Sequence, residues 1–80
     1  MKSTRESIQF AIDTLTAEVT QKYALANNIS GTEALRFFIR TDTYELLANS
    51  ESFLYLESVE YILDMLDAEM RGDINRWLEV

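Results

Sequence analysis

The chain has 80 residues and a formal net charge of −7, and 48% of its residues are hydrophobic. This apolar share is too high for a disordered chain, so we expect one small folded domain of marginal stability. The absence of histidine and cysteine removes the commonest general base, thiolate nucleophiles and the usual ligands of zinc. The sequence therefore predicts neither an enzyme nor a cofactor or metal site.

The first predicted helix begins at Ser3, whose spacing to Glu6 fits a capping box. It ends at Asn27 and Asn28, because asparagine tolerates the left-handed backbone found at helix C-termini. Apolar residues recur every three or four positions along it and predict one buried face: Ile8, Ile12, Leu15, Val19, Tyr23 and Ala26.

A second set of small and aromatic residues runs along the opposite side of this helix. Phe10, Ala17 and Ala24 are seven residues apart, so they share a face roughly opposite the buried one. Two interpretations are open. The face is either a close seam with a second copy of the chain, which makes the protein a homodimer, or a second side on which the helix is buried within its own fold.

The second predicted helix begins with another capping box, formed by Ser30 and Glu33, and runs to about Arg40. Its predicted buried residues are Leu35, Phe38 and Ile39, with Phe37 beside them. Together with the preceding turn it has the look of a helix–turn–helix unit, whose outward residues would be Thr32, Arg36 and Arg40. Many helical hairpins share this pattern, and the chain's negative charge disfavours phosphate binding.

A third, short helix is predicted from Asp42 to Asn49, where Asp42 and Glu45 have capping-box spacing. Residues 53–56 (Phe-Leu-Tyr-Leu) are too short a run to assign, and either a helical turn or an extended crossing fits them.

The last long helix begins at Glu57 or Ser58 and ends at Gly72. Its apolar positions are Val59, Ile62, Leu63, Leu66 and Met70. We therefore predict an all-α domain over residues 1–72, with three or four helices in which the long first and last helices pack together. Residues 73–80 form a predicted amphipathic tail. Its Ile74, Trp77 and Leu78 either pack back over the core or enter a groove on a partner.

Charge is distributed very unevenly between the two halves of the chain. Residues 1–40 sum to +1 and residues 41–80 sum to −8, and no basic residue lies between Asp42 and Met70. Four of the acids have helical spacing and predict a single acidic face: Glu57, Glu60, Asp64 and Asp67. Such a face either keeps a small protein soluble or attracts a basic partner, and it repels nucleic acid and anionic membranes.

Three segments resemble small uncharacterised bacterial helical proteins, some labelled antitoxin-like, whose genes often sit beside toxin-like partners. These segments are residues 29–34, 43–47 and 54–61, and the resemblance spans roughly residues 8–70. It implies an all-α fold and a protein partner, and it carries no catalytic residues. Phe53 departs from the pattern, where a small turn residue is expected, and the tail with Trp77 lies outside it.

These observations favour a non-enzymatic, cytoplasmic protein-binding module, antitoxin-like in role, that docks a basic protein partner. The predicted partner-binding residues are Glu57, Glu60, Asp64, Asp67, Ile74, Trp77 and Leu78. Two alternatives remain: a helix–turn–helix DNA-binding regulator, and a self-assembling homodimer that uses Phe10, Ala17 and Ala24. The chain has no apolar run of the roughly 20 residues that a membrane span requires.

Overall fold

The computed structural model describes residues 4–72, which contain four α-helices and no strand. The predicted all-α fold is confirmed. The helices are α1 (Thr4–Asn27), α2 (Gly31–Phe38), α3 (Asp42–Ala48) and α4 (Val59–Met70), and two 3₁₀ turns, Ser50–Ser52 and Leu54–Leu56, connect α3 to α4. Ser3, the predicted first cap, and the tail at residues 73–80 lie outside the described residues.

The helices end and begin where short polar residues satisfy the backbone. α1 ends at Asn27, and Asn28 follows in the left-handed region with φ 56°, as predicted. Ser30 caps α2 with the predicted capping box, and Ser58 caps α4 through a hydrogen bond that its hydroxyl accepts from the Tyr61 amide. At the other end of α4, Gly72 has φ 85°, which only glycine adopts freely.

α3 begins one residue away from the predicted capping pattern. Thr41 is its N-cap, because the threonine hydroxyl accepts a hydrogen bond from the Tyr44 amide at 3.1 Å. The same hydroxyl donates to the carbonyl of Phe38 at 2.6 Å, which joins the end of α2 to the start of α3. The prediction that Asp42 is the cap was therefore wrong.

The core forms where α1 packs against α2 and α4, and α3 packs against α4. The long first and last helices are in contact, as predicted. Seven residues make up the buried cluster, and they come from all four helices: Ile12, Leu15, Val19, Phe38, Leu47, Ile62 and Leu66. Ile8 and Tyr23 pack at the two ends of the α1 stripe, and the Tyr23 ring stacks on Phe37 with centroids 5.0 Å apart.

Several predicted core positions are exposed. α2 has only two turns and faces the core with Ala34 and Phe38, which lie four residues apart on one side. Leu35 and Ile39 are each one residue further along, about 100° around the helix, and are 42% and 47% exposed. Ala26 on α1 and Met70 on α4 are exposed as well, whereas Met65 and Ala68 are buried.

No helix in the described part of the chain is long and apolar enough to cross a membrane.

Candidate functional site

The predicted acidic face is present on α4, with one change. Glu60, Asp64 and Asp67 lie within the helix and are exposed. Glu57 is exposed too, but it precedes the helix, because Ser58 is the N-cap and Val59 the first helical residue. The four carboxylates therefore do not share one helical face: one lies in the turn before α4 and three lie on the helix.

Part of this acidic face interacts favourably with α4 itself. Glu60 is in the first turn of α4, where the positive end of the helix dipole favours a carboxylate. Asp67 forms an ion pair with Arg71, one turn further along. Asp64 lies between them with its side chain exposed to solvent.

Glu69 has a structural role that the sequence analysis missed. One carboxylate oxygen accepts a hydrogen bond from the Asp42 amide at 2.9 Å. The other accepts from the Thr43 amide at 2.8 Å and from the Thr43 hydroxyl at 2.7 Å. This side chain of α4 thus caps the N-terminus of α3, with a fully buried threonine at the junction.

A sequence signal for Glu69 did exist. Its position continues the spacing of Ile62 and Met65 along α4, so helical geometry places an acid on the buried side. A carboxylate on an apolar face is costly unless it accepts hydrogen bonds, so this position required a donor from another element.

The connection between α3 and α4 exposes an apolar pair, here called the Phe53–Leu56 turn after its two exposed residues. Phe53 has φ 61°, a left-handed conformation that is strained for a bulky residue, and its side chain is 59% exposed. Leu56 is 71% exposed. Ser52 fixes the turn, because its hydroxyl donates to the Leu46 carbonyl at 2.6 Å and accepts from the Leu54 amide at 3.2 Å.

The Phe53–Leu56 turn adjoins the acidic residues. Glu51 precedes Phe53 and Glu57 follows Leu56 directly, and both glutamates are exposed. The Phe53 ring lies 6.2 Å from the Tyr55 ring between centroids, so two aromatic side chains share this corner. The combination is a small apolar area bordered by carboxylates. It was missed because the run at residues 53–56 could not be assigned from its pattern.

The face of α1 that carries Phe10 is only partly covered by the protein itself. Phe10 is 72% exposed and Ala17 is exposed, whereas Ala24 is buried. The interpretation that α1 is buried on two sides therefore holds near Ala24 and fails at Phe10. Beside this face lies a groove of about 580 Å³ between α1, α2 and the start of α3.

The remaining predicted site residues divide into two groups. Thr32 and Arg36 are exposed on α2 and Arg40 is exposed in the turn after it, so the alternative of nucleic-acid binding remains a prediction. Ile74, Trp77 and Leu78 lie outside the described residues. Among residues 4–72, no group of three or more acidic side chains is placed to hold a metal ion.

Over residues 4–72 the chain is thus a small all-α fold with an acidic face and with exposed apolar residues at the Phe53–Leu56 turn and around Phe10. Comparison with known proteins found no matching family model, no matching curated protein and no matching solved structure.

Proposed function

We propose that this chain is a non-enzymatic protein-binding module, antitoxin-like in role, which docks a basic protein partner through its acidic half. The observation that carries the proposal is the exposed Phe53–Leu56 turn, which borders the acidic residues directly. Protein interfaces combine these two elements: desolvated apolar side chains dominate the affinity, and surrounding charges speed the encounter.

We assign a separate kinetic role to the acidic residues and to the apolar turn. Glu57, Glu60 and Asp64 are exposed, and no lysine or arginine lies between Asp42 and Met70 to offset their field. They steer a positively charged partner over distances comparable to the Debye length. Phe53 and Leu56 lose water only after contact, so they control how long the complex lasts. The tail residues Ile74, Trp77 and Leu78 are proposed to add to the desolvated contacts.

The Phe53 backbone supports a binding role for this turn. A phenylalanine held in the left-handed region costs stability, of order 1 kcal/mol, and such strain concentrates at functional positions. An exposed aromatic side chain adds little to the fold that would offset this cost. A surface selected only for solubility would place a glycine or asparagine there.

The test begins with capture of partners from the native host on the immobilised chain, followed by purification of the captured protein and measurement of binding kinetics. We expect the double change Glu60→Lys and Asp64→Lys to lower the association rate about tenfold or more near 20 mM salt. Near 500 mM salt the difference should fall below about twofold, since screening removes the steering.

Matched variants separate the two elements of the surface. Asp13→Lys reverses an exposed acid on α1 and should leave the association rate nearly unchanged. Leu56→Ala should raise the dissociation rate, whereas Ile39→Ala, at an exposed apolar residue just after α2, should not. A captured basic protein that binds the Lys variants and wild type equally at both salt concentrations would refute the docking role. Capture of DNA, lost on changing Arg36 and Arg40 to Ala, would favour the regulator instead.

A further inference from the structure

The groove beside α1 has walls that suit an apolar side chain. Its lining comes from α1, α2, the turn between them and α3. It includes Ala17, Ala24, Leu25, Ile29, Leu35 and Tyr44. The hydroxyls of Thr16 and Thr20, which also line it, donate to the carbonyls of Ile12 and Thr16 within α1 at 2.8 Å. Because these donors are already satisfied, the groove can be covered without leaving them unpaired.

An aromatic side chain of the right size is displayed on the same helix. Phe10 precedes Ala17 by seven residues, and Ala24 follows Ala17 by seven. Seven residues are nearly two helical turns, about 10.5 Å, so the three positions lie almost in line along α1. Phe10 lies at one end of this line, and the groove follows the rest of it, from Asp13 to Leu25.

We propose that a second copy of this chain occupies the groove, forming a two-fold symmetric dimer through antiparallel contact of the two α1 helices. With the two-fold axis at Ala17, Phe10 of each copy comes over position 24 of the other, where Ala24 lines the groove and is otherwise covered by its own chain. There it enters the space between Gln21, Ala24 and Leu25, as a knob enters a hole in helix packing. Alanine at the axis permits close approach of the two backbones.

The charges on this face fit a second copy of an acidic protein. Two copies at −7 repel each other, so they associate best through a surface of low charge, and residues 10–24 carry only Asp13, Glu18 and Lys22, which sum to −1. Along the line of contact Asp13 lies opposite Gln21 of the second copy, and not opposite an acid. Glu18 and Lys22 lie on one flank with opposite signs. This arrangement leaves the α4 acidic face uncovered, and added salt should strengthen the dimer by screening the repulsion.

The size of the contact sets the expected affinity. Residues 10–24 span about 21 Å of helix, and the width of two helices is about 20 Å. The contact area is then about 400 Å² per copy, or about 800 Å² in total, which is below the roughly 1,000 Å² of a stable interface and fits only a weak, transient dimer. We therefore expect a reversible dimer with a Kd of roughly tens of micromolar.

Because the chain contains no cysteine, crosslinking can test the position of the axis directly. Two exposed alanines of α1 are compared: Ala17→Cys on the proposed contact and Ala26→Cys on another side of the helix. Mild oxidation of the full chain should give a disulfide-linked dimer at position 17, because facing Cα atoms fall within the span of a disulfide. Position 26 should crosslink slowly or not at all. Equal rates at the two positions would overturn the proposed interface.

Sedimentation equilibrium from about 5 µM to about 500 µM tests association without a crosslink. Wild type should shift from monomer to dimer, and Phe10→Asp should weaken the dimer at least tenfold. Phe53→Asp makes the same chemical change at an exposed aromatic on another surface, and should dimerise like wild type. Phe10 is largely exposed, so Phe10→Asp should keep the circular dichroism spectrum of the folded chain. A wild-type monomer throughout, or a dimer that Phe10→Asp leaves intact, would refute the proposal.

Discussion

Helices α2 and α3 begin eleven residues apart in the chain, and their N-termini are capped in different ways. At α2 the cap is local: the Ser30 hydroxyl accepts from the Glu33 amide, and the Glu33 carboxylate accepts from the Ser30 amide, both at 3.1 Å. At α3 the local cap, Thr41, is supplemented by Glu69, which reaches from the far end of α4.

The difference shows which parts of the fold depend on each other. A seven-residue helix is too short to be stable in isolation, so α3 requires contacts from elsewhere. Glu69 provides them only once α4 is in place, and this couples the two helices. It also shows that the acids of the second half have unlike roles, since Glu69 is committed to the fold while Asp64 faces solvent.

The largest loss of stability is expected from Glu69→Ala. This change removes three hydrogen bonds to a carboxylate and leaves the hydroxyl of Thr43 buried without its acceptor. We expect the free energy of unfolding to fall by about 3 kcal/mol, measured by urea denaturation. Asp64→Ala removes an exposed acid from the same helix and should change it by less than about 0.5 kcal/mol. Equal losses in the two variants would mean that Glu69 acts only through its charge.

A more conservative substitution, glutamate to glutamine, can be made at both caps to compare their strength. Glu33 accepts through one oxygen, so Glu33→Gln keeps its hydrogen bond and should cost about 0.3 kcal/mol through the weakened helix-dipole interaction. Glu69 accepts through both oxygens, and a glutamine would turn its amide group toward a backbone N–H. Glu69→Gln should therefore cost about 1.5 kcal/mol by the same urea measurement. If both variants lose the same stability, the long-range cap is no stronger than the local one.

Features that depend on neighbouring residues could be predicted from the sequence. The capping box at Ser30, the stops at Asn28 and Gly72 and the buried stripe from Ile12 to Val19 all follow from spacing and backbone preference. These signals lie within a few residues of the structure they determine, so no knowledge of the tertiary fold is required.

Features that depend on which helices meet could not be predicted in the same way. Leu35 and Ile39 have the spacing of a buried face, but α2 contacts the core through Ala34 instead. The exposed Phe53 lies in a turn whose shape is set by Ser52. In each case hydrophobic periodicity is compatible with more than one buried arrangement, and the packing of the helices determines which one forms. The candidate binding surface was therefore only half predicted, through its charges and not its apolar residues.

A loss of stability smaller than that of Glu69→Gln is expected from Ser30→Ala. The variant loses a local hydrogen bond at an exposed helix end, where water can replace the hydroxyl, so unfolding should become easier by about 1 kcal/mol. Ser30→Asp keeps an acceptor at that position and should stay within a few tenths of wild type. Because Ser30 and Glu69 share no hydrogen-bond partner, the losses from Ser30→Ala and Glu69→Ala should add to within about 0.5 kcal/mol in the double variant. A larger coupling would show that α2 and α3 are stabilised as one unit, through the Thr41 hydroxyl that joins them, and that the contrast between a local and a long-range cap is too simple.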